Sequence, residues 1–309
     1  MVSSLPLFIA VLHIVLSAVS LTMTIMICLT IWMTKRVAKH LAYTLMFQEN
    51  MAFLIHSVAH MLIGVNILFG NCYRTSQILG GVQNCSWIAN LLFMLLLALE
   101  RLNVTVLKSR YDVTGWKFVI ISILVWLISL CFMGIVISPL TEYYFEVSTF
   151  GWNYAEDYKS TMVNRMETLF GFMVIPLTFA IYIIIYAFLV KQRVTSMDSA
   201  NHRVSPEQKM LFVSTLTFLY LLLNLVLYDI NDELEFNYLW YNGFVHTAFI
   251  CLPLFCHAML LSFNRTVRRD LLRRVLRRNI NQVFSIRDPS KKVQTVRASF
   301  STSISVTHQ

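Results

Sequence analysis

Seven apolar runs set what this chain can become. They fall at residues 5–33, 41–69, 83–107, 117–140, 167–190, 210–229 and 238–263. A hydrocarbon layer of ~30 Å is crossed by about 20 residues of helix rising ~1.5 Å each, and every run reaches that length. Of the 309 residues, 57% are hydrophobic and 13% charged, whereas soluble domains carry about 25% charged residues. A soluble core of this size would have too little polar surface to cover it. The expected fold is an all-α membrane protein: a seven-transmembrane helix bundle with a short amphipathic interfacial helix.

The loops give the orientation. Segments after the odd-numbered runs and the C-terminal segment hold 21 Lys and Arg residues, eleven of them after residue 263. The opposite side holds three, Arg74, Lys159 and Arg165, while Arg101 sits at a run end. Bases stay on the cytoplasmic side, so the N-terminus is expected outside and the C-terminus inside. The net charge of +9 is then explained by topology, and nucleic acid is not an expected partner. Residues 1–34 carry no charged side chain. A secretory signal begins with bases and has a short apolar core, so the first run reads as a retained anchor.

The third run ends, on the inner side, in Glu100-Arg101. Neighbours on a helix point about 100° apart and do not face each other, so each is expected to find another partner or water. An arginine at a helix end can simply anchor at the membrane edge. The fuller pattern, Glu100, Arg101, Val104, Thr105, Tyr111 and Asp112, resembles the end of the third helix in nematode serpentine chemoreceptors of the superfamily of classes a, b and e, class e being the closest. It is also similar to the acid–Arg–aromatic triplet of rhodopsin-like G-protein-coupled receptors. The resemblance implies a chemosensory receptor in the plasma membrane, in sensory cilia, with a heterotrimeric G protein and a small ligand as partners. It implies coupling through Glu100, Arg101, Thr105, Tyr111 and Asp112, with Glu100 restraining Arg101 at rest. The chain departs from the rhodopsin-like pattern elsewhere: Pro253 is present without Asn-Pro-x-x-Tyr, and the sixth run has no proline.

Glu207, just before the sixth run, could pair with Arg101 as a resting-state lock, or be a solvated acid favoured near a helix N-terminus. Unchanged basal signalling in Glu207→Gln would sink the lock. After the seventh run, Val267, Leu271, Leu272, Val275 and Leu276 alternate at helical spacing with Arg268, Arg269, Arg273, Arg274, Arg277 and Arg278. That reads as an interfacial helix on anionic lipid. The expected organisation is a seven-helix domain over 1–263, a basic juxtamembrane helix over 264–280 and a disordered tail over 281–309.

On the outer side, residues 141–166 contain no cysteine, which rules out the disulfide that ties this loop to the third helix in rhodopsin-like receptors. Cys72 and Cys85 could bridge locally or stay free. Asn84-Cys85-Ser86 matches a glycosylation triplet, but it lies close to the membrane. Polar residues within spans are functional candidates. Glu49-Asn50, near the middle of the second run, could hold an ion or proton or bond neighbouring helices. His56 and His60 share a face at i, i+4, but two ligands do not make a metal site, and no metal or cofactor is expected. A ligand pocket is expected between the outer halves of the helices, with His56, His60, Asn90, Tyr220, Asn224, Tyr228, Tyr241 and His246 as candidates. The competing reading is a seven-span transporter or ligand-gated channel subunit. Transporters show repeats and paired broken helices, and none is evident. No catalytic motif lies in the spans, so an enzyme is not expected.

Overall fold

The computed structural model describes residues 4–33, 41–70, 72–108, 116–148, 150–195, 206–234, 239–265 and 267–273. The chain is an all-α bundle with one small hairpin. Its elements are α1 Ser4–Met33, α2 Leu41–Leu68, α3 Tyr73–Thr105, α4 Trp116–Ile137, β1 Tyr143–Glu146, β2 Gly151–Tyr154, α5 Tyr158–Thr195, α6 Pro206–Leu234, α7 Leu239–Ile250 and α8 Leu252–Phe263. In lipid no water satisfies backbone groups, so each spanning segment must close its own hydrogen bonds as a helix. Among the described residues five helices, α1 to α5, are long and apolar enough to cross a membrane alone. The bent pair α7 and α8 makes one further span, and α6 carries the apolar stretch Phe212–Tyr228.

Helix α3 is the central strut. In its apolar window 67% of residues are buried, against 22% in α4. Val119, Ile123, Leu127 and Leu130 of α4 are exposed, as a lipid-facing stripe requires. Helices α1 and α2 approach closely at Gly64, where a Cβ would lie 2.8 Å from Ile14 Cγ1 and 2.9 Å from the Ala10 carbonyl. Small residues permit such contact in a bilayer, and a 2.8 Å hydrogen bond between the Ser20 and Ser57 hydroxyls adds to it.

The seventh span is broken at Cys251, with a 47° bend between its halves. Pro253 is the cause. It has no N–H, so the carbonyl four residues earlier, Phe249, loses its helical donor. His56 on α2 takes that carbonyl, with Nε2 3.3 Å from it.

Two helices start earlier than the apolar pattern predicts: α3 at Tyr73 instead of residue 83, and α5 at Tyr158 instead of residue 167. Their first turns are polar, and the protein itself satisfies them. The Gln77 amide donates to the Thr141 carbonyl at 2.7 Å and lies within 3.4 Å of the Val136 and Ser138 carbonyls. The Phe145 amide donates to Ser76 Oγ at 2.7 Å. Asp157 accepts from the Lys159 and Ser160 amides at the head of α5, and the bonds to Ser160 hold its carboxyl below its ordinary range.

The earlier start of α3 corrects the cysteine reading. Cys72 and Cys85 are both free, the first exposed and the second buried on α3. Thirteen helical residues separate their Cα atoms by ~20 Å at ~1.5 Å per residue, and a bridge needs less than about 7 Å. Asn84 is buried as well, so its triplet is closed to a glycosyl donor.

The outer loop between α4 and α5 is an antiparallel hairpin, with Tyr143 opposite Tyr154 and Glu146 opposite Gly151. Tyr143, Phe145, Phe150 and Trp152 are buried with Ile9, Ile63, Ile67 and Leu79. Tyr143 and Trp152 stack at 4.9 Å. Gly80 makes room for them, since a Cβ there would lie 2.6 Å from Trp152 and 2.7 Å from Tyr143. A hydrogen bond accepted by Ser76, one donated by Gln77 and this close packing hold the loop to α3.

Residues 1–267 form one compact unit. Residues 267–273 are helical, and within them Arg269 and Asp270 approach to 3.9 Å. Residues 274–309, covering the rest of the expected interfacial helix and the tail, lie outside the described residues, as do Tyr111 and Asp112.

Candidate functional site

Beneath the hairpin lies a cavity of about 100 Å³, between α3, α5, α6, α7 and β2. A water-sized group occupies roughly 10–15 Å³ on this scale, so the cavity takes on the order of seven to ten such groups. Aromatic walls come from Trp87, Trp152 and Phe249. Its polar edge is mostly acceptor. Gln83 Oε1, Asn84 Oδ1, Asn224 Oδ1 and Asn242 Oδ1 are buried without a hydrogen-bond partner, and Asn84 Nδ2 adds a donor. The Asn224 amide is oriented by its Nδ2, which donates to the Tyr220 carbonyl at 2.7 Å; its oxygen is therefore the free end. Trp152 Nε1 is an unpartnered donor in the same wall.

Glu167 brings the carboxylate. It lines the cavity half-buried, and the Tyr154 hydroxyl donates to it at 2.7 Å. Burial, then the neighbouring Glu167 charge, pushes the Tyr154 phenol well above its ordinary range, so it stays a donor. Sequence reasoning missed Glu167 because the apolar pattern put it at the edge of the fifth run. The extra turns at the head of α5 carry it inside the protein.

Of the eight residues expected to line a pocket, Asn224, Tyr228 and His246 line this cavity. Tyr228 donates to the Trp152 carbonyl at 3.0 Å and so pins the hairpin from α6. Tyr220 and Tyr241 are not in the wall; they donate to the Ala248 carbonyl at 2.5 Å and the Leu227 carbonyl at 2.9 Å. Asn90 is buried in α3 away from the wall. His56 and His60 lie behind it, beside Phe249.

A second cavity of about 70 Å³ sits further in, bordered by Glu49, Asn50, Tyr182, Thr217, His257 and Asn264. Asn50 Nδ2 donates to the Met46 carbonyl at 2.6 Å. Its oxygen is therefore the acceptor for His257 Nε2 at 2.9 Å, which puts the imidazole proton on Nε2. This joins α2 to α8.

At the inner end of α3, Arg101 Nε lies 3.5 Å from Glu100 Oε2. The expectation that these neighbours could not meet is corrected. The Cα–Cβ vectors diverge, but the long arginine stem folds back across the gap. The side chain of Glu100 is 11% exposed and that of Arg101 27%, so the pair is only partly sheltered by the bundle. Thr105 is in the last turn of the helix. The Glu207 side chain lies outside the described residues.

These features define a seven-helix membrane bundle with a roofed outer cavity. The crystal structure of squid rhodopsin is similar to it, with a TM-score of 0.74 at 12% identity, over 88% of this chain and 85% of that one. At that identity the likeness establishes the fold. No protein-family model matches the sequence, and no curated protein matches it.

Proposed function

We propose that the chain is a chemosensory receptor that binds a small ligand in the outer cavity and activates a heterotrimeric G protein. The observation that carries this is the placement of α3. One rigid helix lines the cavity with Gln83, Asn84 and Trp87 and ends in the Glu100–Arg101 pair. Its rise from Asn84 to Glu100 is ~24 Å at ~1.5 Å per residue. A ligand that shifts α3 at the cavity therefore acts on the ion pair at the opposite face. The motif over residues 100–112 supports placement among the nematode serpentine receptors of classes a, b and e. That reading puts the protein in the plasma membrane of a sensory cell.

The wall chemistry defines the ligand class. Four buried amide oxygens, of Gln83, Asn84, Asn224 and Asn242, and one carboxylate accept hydrogen bonds, while Trp152 and the Asn84 amide offer donors. A compact ligand with N–H or O–H donors and an apolar body matches this edge. Removing the Glu167 charge leaves the cavity shape and the Tyr154 contact in place but withdraws a charge-assisted bond worth about 1.5–3 kcal/mol. Glu167→Gln is expected to weaken responses to amine ligands by about tenfold or more at unchanged surface level. Dose–response curves for a panel of small amines, alcohols and hydrocarbons check this. Equal potency of amines on the wild type and Glu167→Gln would remove the carboxylate from recognition.

A further inference from the structure

We propose that His13, His60 and His246 form a binding site for a divalent transition-metal ion of the zinc class. One nitrogen from each imidazole can be chosen so that all three lie within 4.8 Å of one another. Three imidazoles around a tetrahedral zinc at ~2.0–2.1 Å have nitrogens roughly 3.3 Å apart, so small ring movements close the set. The residues come from α1, α2 and α7, and all three are buried.

The second observation is the polar imbalance. Both nitrogens of His60 and Nε2 of His246 are buried without a hydrogen-bond partner, and buried His13 has only the His60 backbone close by. Each orphaned buried group costs about 1–3 kcal/mol, and here several sit together in an apolar shell of Phe145, Phe150 and Phe249. Aromatic edges satisfy the ring faces of the histidines. They offer nothing to the nitrogen lone pairs, which a borderline-soft cation takes readily. His56 is separate from the set, since its Nε2 is used by the Phe249 carbonyl.

The shell is built with strain. Phe150 has φ 59°, a left-handed conformation that a bulky residue rarely adopts. Its ring packs edge-on to both His13 and His246, at 5.6 and 5.7 Å between centroids. Three protein ligands leave a fourth tetrahedral position, which a water fills. Because His246 also lines the outer cavity, the ion would stiffen the wall against which a ligand binds. The inference needs only the bundle and is independent of G-protein coupling.

The test uses the full-length protein in lipid nanodiscs, purified through a tag without histidine. Zinc binding is measured by calorimetry, and Co2+ serves as a spectroscopic probe. The expected result is one Zn2+ per chain, a raised unfolding temperature with zinc, and visible Co2+ bands of low-coordinate intensity that zinc abolishes. His13→Phe, and separately the milder His246→Asn, are expected to weaken zinc binding at least about tenfold. The unfolding temperature without zinc, read for each variant, shows that the bundle is intact. His202→Ala and His308→Ala are expected to bind as the wild type does. No saturable zinc binding by the wild type would overturn the site. So would binding that survives in folded His13→Phe and His246→Asn.

Discussion

Arg101→Ala is expected to abolish ligand-stimulated G-protein activation while the receptor still reaches the cell surface. The argument begins with solvent. Glu100 and Arg101 end a helix whose upper turns are the most buried in the bundle. Arg101 keeps about a quarter of its side chain exposed at that end. The guanidinium lies 3.5 Å from Glu100, at a distance that gives an ion pair and no full hydrogen bond. Such a contact is weak enough to exchange for an acceptor on a partner protein. On the proposed reading alanine removes that donor, and loss of coupling is the expected result. The fold should survive, because a partly exposed ion pair contributes roughly 0–1 kcal/mol. Glu100→Gln has the opposite sign. It releases Arg101 and is expected to raise basal activity. Cyclic-nucleotide or calcium reporters read both, and a normal response from Arg101→Ala would separate the motif from coupling.

Gly80→Val is expected to dismantle the outer roof. The position faces Trp152 and Tyr143 at distances a Cβ cannot occupy, 2.6 and 2.7 Å. Those rings stack on each other and are buried, and the open space beside them is the outer cavity they border, so they can yield only by filling it. Overpacking of this kind costs about 1–3 kcal/mol, and valine adds two methyl groups beyond the offending carbon. Either the rings collapse into the cavity or the hairpin lifts, which breaks the Ser76 and Gln77 bonds that hold it to α3. Loss of most surface staining is expected, together with loss of ligand response in the fraction that remains. Gly134→Ala is the matched control. Nothing lies within 4 Å of a Cβ there, and the change in a helix is neutral or stabilising by about 0.5–1 kcal/mol. If Gly80→Val and Gly134→Ala behave alike in surface staining and thermal unfolding, the roof does not depend on the close contact.

The bundle was legible because lipid imposes a strong rule. Runs such as 41–69 and 117–140 are apolar on every face that meets hydrocarbon, and α2 and α4 fall on them closely. The rule fails where protein replaces water as the polar partner. Gln77 reads as a loop residue and Gln83 and Asn84 as the polar edge of the third run, yet all three are helical and buried in α3. The same blindness hid Glu167. The bend at Cys251 was half legible: Pro253 marks it, but the His56 donor that makes the break tolerable comes from another helix. His56 and His60 advertise themselves by spacing. His13 and His246 do not, because the contact that unites them with His60 joins residues far apart in sequence. The hairpin carries a period-two signal too short to be distinct from its aromatic neighbours.

The most direct test of the receptor reading compares wild type and Arg101→Ala in cells expressing each with an N-terminal tag, over a panel of small volatile and soluble chemicals. Tag staining of intact cells and G-protein activation are read together. The account predicts an outside tag on both forms and a ligand response only in the wild type. A tag accessible only after permeabilisation, or a membrane current that persists in Arg101→Ala without any G protein, would contradict it and identify a ligand-gated channel instead.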